Sequence, residues 1–216
     1  MEFWLPAADR EIHMKINAAS QLGYLRENIS GLVEQCQPLW HPLGFVSCVV
    51  RDEPNLLMVR VHYWPKAERR TKSPDWPIHT HKYDLSSFVL MGSVRDMQYR
   101  TESNGSEYAI YSVSYHGENS AIAPSKREVS VVRIVDEMHC VGDEYSVPVG
   151  VFHQTFVPLD NNAMTLVALS NFQDTDALVL GNLGDKSFPY DRLPFDKISF
   201  WASVSEALMR FPRQLT

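Results

Sequence analysis

The chain has 216 residues, 44% of them hydrophobic and 21% charged, with a formal net charge of −6. That length and balance describe one substantial core in an ordinary globular protein, and the acidic charge argues against a nucleic-acid partner, which needs a basic face. No run approaches the roughly 18 apolar residues of a membrane helix, the N-terminus does not read as a secretory leader, and Cys36, Cys48 and Cys140, an odd number without a CxxC pair, suit a reducing cytoplasm better than a disulfide framework.

Over about residues 7–37, Ile12, Ile16, Leu22, Leu25, Ile29, Leu32, Val33 and Cys36 recur mostly at steps of three and four, which predicts one long or two shorter amphipathic helices. Pro38 and Pro42 end that pattern. From Gly44 to about Asn171 the chain changes character. Runs rich in Val, Ile, Tyr and Phe (GFVSCVV, NLLMVRVHYW, DLSSFVLMG, SVRDMQYRT, EYAIYSVSY, REVSVVRIV, VGVFHQTFV and MTLVALS) alternate with breaks at Pro54-Asn55, Asn104-Gly105, Pro124-Ser125 and Asn161-Asn162. No helical pattern separates them, so an antiparallel sandwich or barrel is expected. Cys48, inside FVSCVV, reads as a small core residue. The polar stretch from Lys66 to Asp75 reads as a loop or lid, with Trp64 and Trp76 as walls of an opening. After Gly181 the chain is loop-like until Asp196, a plausible N-cap for a last helix through Arg210, with Ile198, Phe200, Trp201, Val204, Leu208 and Met209 as its buried stripe. The predicted organisation is one domain: an N-terminal helical segment (1–43), a barrel (44–181) and a C-terminal loop and helix (182–216). The helical flanks would cover sheet edges or serve a homodimer contact.

Two motifs carry chemistry. The first is Ile78-His79-Thr80-His81, followed by Gly92; the second is Gly142-x5-Pro148-x-Gly150-x2-His153. In extended backbone His79 and His81 share a face, so both imidazoles can reach one metal at about 2.0–2.2 Å. A barrel can bring His153 opposite them as the third ligand. Together, in order, within an all-β segment, the motifs point to a metal site.

The pair resembles the two characteristic motifs of the cupin superfamily, over roughly residues 44–171. The resemblance implies a jelly-roll-like antiparallel β-barrel. The family's first motif continues with a Glu, which would fall at Leu85 or Ser86. Asp84 is one step off and points away from the histidine face unless a bulge re-aims it. A three-histidine site is therefore expected, with Asp84 either a fourth ligand or a hydrogen-bond acceptor nearby. Such a site resembles that of the cysteine dioxygenase-type thiol dioxygenases. Their cysteine–tyrosine crosslink has no counterpart, because Ser86 stands at the matching position.

The function this implies is a non-haem Fe(II) dioxygenase acting with O2 on a small polar or thiol-bearing molecule. Mn, Zn or Ni would suit the alternatives: a non-redox isomerase, lyase or cyclase, or a binding module without catalysis. Further candidates are Tyr83 and Tyr99 as proton donors, and Arg60, His62, Ser86 and Gln154 as substrate contacts. Arg60 and His62 share a strand face with Met58, opposite Leu57, Val59, Val61 and Tyr63. That face is either the barrel interior or the solvent side. From the interior, Arg60 could hold a substrate carboxylate through two hydrogen bonds. Tyr111 is a weaker candidate, and His116 and His139 read as exposed or structural.

Overall fold

A computed structural model of the chain describes residues 16–103, 105–116, 119–183, 188–190 and 192–211. A short 3-10 turn (Ala19–Gln21) leads into α1 (Leu22–Gln35). The strands follow: β1 (Leu39–Trp40), β2 (Val46–Glu53), β3 (Leu57–Trp64), β4 (Asp84–Met91), β5 (Ser93–Glu102), β6 (Tyr108–His116), β7 (Asn119–Cys140), β8 (Glu144–Val147), β9 (Phe152–Phe156), β10 (Ala163–Ser170), β11 (Ala177–Gly181) and β12 (Phe188–Tyr190). Helix α2 (Lys197–Met209) closes the order. The strands form two antiparallel sheets, ordered β1-β2-β3-β10-β4-β8 and β11-β6-β7-β5-β9, with β12 beside β7. This is the expected class: mainly β, two antiparallel sheets, a helix near the N-terminus and one at the C-terminus. Ile12 and the rest of the predicted helix before residue 16 lie outside the described residues.

The first sheet is buried on both faces, which explains its near-continuous apolar strands. Leu57, Val59 and Val61 of β3 pack under the helices, against Leu25, Leu32, Phe200, Trp201 and Val204. Each such side chain contributes at most about 1.5–3 kcal/mol on leaving water. The other face of the sheet carries Val89, Tyr145, Val167 and Leu169 into a second cluster between the sheets. Asp196 caps α2 by accepting from the Ser199 N–H at 2.7 Å. Two members of the predicted stripe of α2 are corrected: Ile198 and Met209 are 81% and 78% exposed. At the helical period both fall on the side of α2 turned away from the buried Phe200, Val204, Ala207 and Leu208.

A glycine is required at two close approaches. Gly92 turns β4 into β5 at φ +70°, and a Cβ there would stand 2.1 Å from the Asn162 carbonyl oxygen. At Gly181 a Cβ would meet the Trp76 ring at 2.6 Å. The Cys48 thiol is pushed up to about 12 by burial, so it is an inert core group. No described helix is long and apolar enough to cross a membrane.

Candidate metal centre

The first histidine motif is held from both sides by backbone. The His79 N–H donates to the His153 carbonyl at 3.0 Å, and the His153 N–H returns the bond to the His79 carbonyl at 2.8 Å. On the other side, the Thr80 N–H donates to the Leu178 carbonyl at 2.8 Å. The segment is thus extended but pairs only through isolated bridges, to β9 and β11. Ile78 packs with Met97, Tyr99 and Phe152 on the far side, while His79 and His81 face the interior.

The second motif is a loop that aims β9. The Gly150 N–H donates to the His81 carbonyl at 3.0 Å, which ties the two motifs together directly. The Val149 N–H donates to Asp84 Oδ1 at 2.8 Å, and Asn171 Nδ2 donates to Asp84 Oδ2 at 2.9 Å. Both Asp84 oxygens are therefore occupied in fixing the loop that delivers His153. Asp84 thus accepts hydrogen bonds from the loop, and it is not among the three side chains that cluster for a metal.

One nitrogen from each of His79, His81 and His153 lies within 4.8 Å of the others. His81 Nε2 and His153 Nε2 are 2.9 Å apart. An ion about 2.1 Å from each nitrogen holds them about 3.0–3.4 Å apart in octahedral or tetrahedral geometry, so this pair already has the spacing a shared ion needs. His79 Nδ1 lies 2.9 Å from the Pro77 carbonyl. A carbonyl only accepts, so Nδ1 carries the proton and Nε2 keeps its lone pair for a metal. Burial, then the neighbouring His153, lowers the His79 pKa to about 3. His81 is held well below the usual histidine value, first by burial and then by His79, His153 and Arg60. His79 and His81 are thus held neutral, as metal ligands must be, and neutral imidazoles suit Fe, Zn, Ni and Cu ions.

His79 and His81 open into a cavity of about 370 Å³. Its charged lining is Arg60, Lys72, Lys82 and Arg192, with no carboxylate lining it among the described residues. The apolar wall includes Met58, Trp76, Val113, Ile122 and Phe172. A deeper lobe of about 70 Å³ shares Arg60, His79, His81 and Tyr83 with it and adds His62, Tyr145, His153 and Thr155. Arg60 and His62 thus face the interior. The Arg60 Nε donates only to the Met58 sulfur, at 3.2 Å, and no described carboxylate lies within ion-pair distance of it. Burial, then Arg60, keeps His62 well below its usual value. Tyr83 lies over His81, with ring centroids 4.9 Å apart and planes 15° from parallel.

Three other residues named from the sequence stand apart from this site. Ser86 is on the helix-covered face of β4, where its hydroxyl donates to Glu144 Oε1 at 2.6 Å and accepts from the Ala18 N–H at 3.0 Å. Tyr99 and Gln154 are on the outer face of the second sheet, hydrogen-bonded to each other at 3.4 Å. Strand parity decides both: Gln154 is adjacent to the inward His153, and Tyr99 is adjacent to Gln98, which pairs with His153 across the sheet. Tyr111 is fully buried, donating to the Asn182 carbonyl at 2.7 Å. His139 stacks on Tyr145, and the His116 side chain lies outside the described residues. Sequence reasoning missed His41, Lys72, Lys82 and Arg192, which reach the cavity from unrelated stretches. His41 accepts from the Leu43 N–H at 3.3 Å and is held well below its usual value by burial, then by Arg192.

No protein-family model matches the sequence, and no curated protein matches it. Among solved structures it is similar to an RmlC-like cupin from Shewanella frigidimarina, at 14% identity and TM-score 0.38, over 65% of this chain and 88% of that one. It is also similar to the DMSP lyase DddQ from Ruegeria pomeroyi, at 16% identity and TM-score 0.38, over 84% and 72%. A third is hydroxypropylphosphonic acid epoxidase from S. wedmorenis, at 15% identity and TM-score 0.37, over 63% and 56%. At these scores the likenesses carry no argument about activity, which must come from the site itself.

Proposed function

We propose that this chain is a cupin-type non-haem Fe(II) oxygenase acting with O2 on a small organic anion, a thiol-bearing carboxylate being the first class to try. The observation that carries this is three histidines converging beside a cavity whose charged lining, among the described residues, is wholly basic. When bound there, iron would supply the electron transfer that brings substrate and oxygen together. The ligands add no negative charge, so the ion would keep its full attraction for an anionic substrate.

The chain's own residues have separable tasks in this reading. Arg60 takes the anionic head, since its half-buried guanidinium faces the cavity with no described carboxylate within ion-pair distance and can hold a carboxylate through two hydrogen bonds. Met58, Trp76 and Phe172 exclude water from the remainder of the substrate. Tyr83, stacked on His81, is the group available to hand over a proton beside the metal.

The test is to load metal-free protein anaerobically with Fe(II) and follow oxygen uptake across a panel of small thiols and carboxylates. Uptake that requires both Fe(II) and one panel class supports the proposal. Turnover without oxygen uptake, under Zn(II), Mn(II) or Ni(II), would replace it with an isomerase, lyase or cyclase. A protein that binds none of these ions, or a His153→Ala variant that binds them as the wild type does, would refute the metal centre.

A further inference from the structure

We infer that Asp96 is a positioning residue for the metal centre, holding the His153 ring through Nδ1 so that Nε2 is presented to the ion. This rests on the metal-centre reading above. Asp96 is on β5, paired across to Thr155, while its neighbour Gln98 pairs with His153. Asp96 and His153 are therefore diagonal neighbours on the inner face of one sheet.

Asp96 is 1% exposed and His153 is 3% exposed. Asp96 Oδ1 and His153 Nδ1 are both buried without a hydrogen-bond partner, and they face each other at 3.7 Å. A buried donor or acceptor left unpaired is costly; here one of each stands side by side. The gap exceeds a hydrogen bond by about 0.8 Å, a distance that a small rotation of the imidazole closes.

The carboxylate itself is held still. Gln98 Nε2 donates to Asp96 Oδ2 at 2.8 Å and to the Ser146 carbonyl at 3.0 Å. The Ser146 carbonyl can only accept, so it fixes which end of the amide faces Asp96. Among the described residues no lysine or arginine lies within ion-pair distance of Asp96, which leaves His153 as its basic neighbour. A proton held on Nδ1 leaves the Nε2 lone pair pointing toward His81 Nε2, 2.9 Å away. The Pro77 carbonyl does the same for His79. Two of the three rings thus have their tautomer set from behind, by different acceptors.

The experiment compares wild type, Asp96→Asn and Gln98→Met as metal-free proteins. Co(II) and Zn(II) affinities are read by chelator competition, thermal stability without metal by calorimetry, and the His153 tautomer by nitrogen NMR. Asp96→Asn should weaken both ions by about 10–100-fold, lose the Nδ1–H signature of His153, and leave metal-free stability unchanged or higher. Gln98→Met, which only releases the carboxylate, should weaken them several-fold, and it carries the test if Asp96→Asn does not fold. Unchanged affinity in a folded variant, while the wild type binds metal, would overturn the role of Asp96 alone. A variant that loses metal-free stability but keeps its affinity would make Asp96 a structural residue and also overturn it. A wild type that binds neither ion would overturn the metal centre itself.

Discussion

Acidification should destabilise the metal-free protein well above the range where carboxylates titrate. His41, His62, His79 and His81 are all held below the ordinary value near 6.5, with burial as the largest cause for each. In the unfolded chain they return to that value. Between pH 7.5 and 5.5 the unfolded state therefore takes up protons that the folded state refuses, and stability falls with pH. The loss begins near pH 6.5 and continues until the pH passes the depressed folded values, about 3 for His79. Over that two-unit window each histidine accounts for roughly 1 kcal/mol, so the four set a ceiling of about 4–6 kcal/mol. At about 2–4 °C per kcal/mol for a protein of this size, the Tm should drop by about 10–20 °C. The assay is urea denaturation and calorimetry at pH 7.5, 6.5 and 5.5, with chelator present and ionic strength constant. His62→Gln should remove about a quarter of the slope. A total change under about 1 kcal/mol, or a protein that gains stability on acidification, would show that these rings are not kept neutral by the fold.

Arg60→Met should raise KM for an anionic substrate by about 10–100-fold with little change in kcat, the loss of one charged hydrogen-bonding partner, while Arg60→Lys recovers part of it; steady-state kinetics on the substrate found by oxygen uptake decides. Asp84→Ala should cost about 1–3 kcal/mol in urea denaturation by freeing the loop before β9. Asp84→Asn, which keeps an acceptor, should retain its metal; if it loses metal as His153→Ala is expected to, Asp84 is a ligand. Gly92→Ala should cost at least about 2 kcal/mol, because its Cβ would stand 2.1 Å from a backbone oxygen; an unchanged urea midpoint would mean the β4–β5 turn relaxes freely.

Much of this molecule was legible in the sequence because its central rule is parity. The apolar runs gave most of the strands, and the two histidine motifs gave residues that meet in space. Where both faces of a strand were covered, legibility failed. Asp96 and Gln98 alternate with Met97 and Tyr99 along β5, but both sets are buried, so the pattern did not say which of them looks inward. On β3 both faces are covered, one by helices and one by the cavity, so alternation alone could not say which of Arg60 or Val59 looks inward. Ser86 was picked from a family position, yet it stands one step from the inward Ser87. His41 and Arg192 carry no local signal at all. They reach the cavity only because β1 and the chain before α2 run side by side, with the Trp40 N–H donating to the Leu193 carbonyl at 2.8 Å.

The bare backbone at Gly181 has a consequence for what the cavity admits. Trp76 lies flat on that strand position and, on its other flank, against Tyr111 at 4.6 Å. A single methyl group at residue 181 would have to push the indole off its seat, and the open space next to it is the chamber. The width of the chamber at Trp76 is thus set by an atom the chain omits, on a strand that contributes no ligand. Selectivity for bulkier or slimmer guests could drift there while the histidines stay untouched.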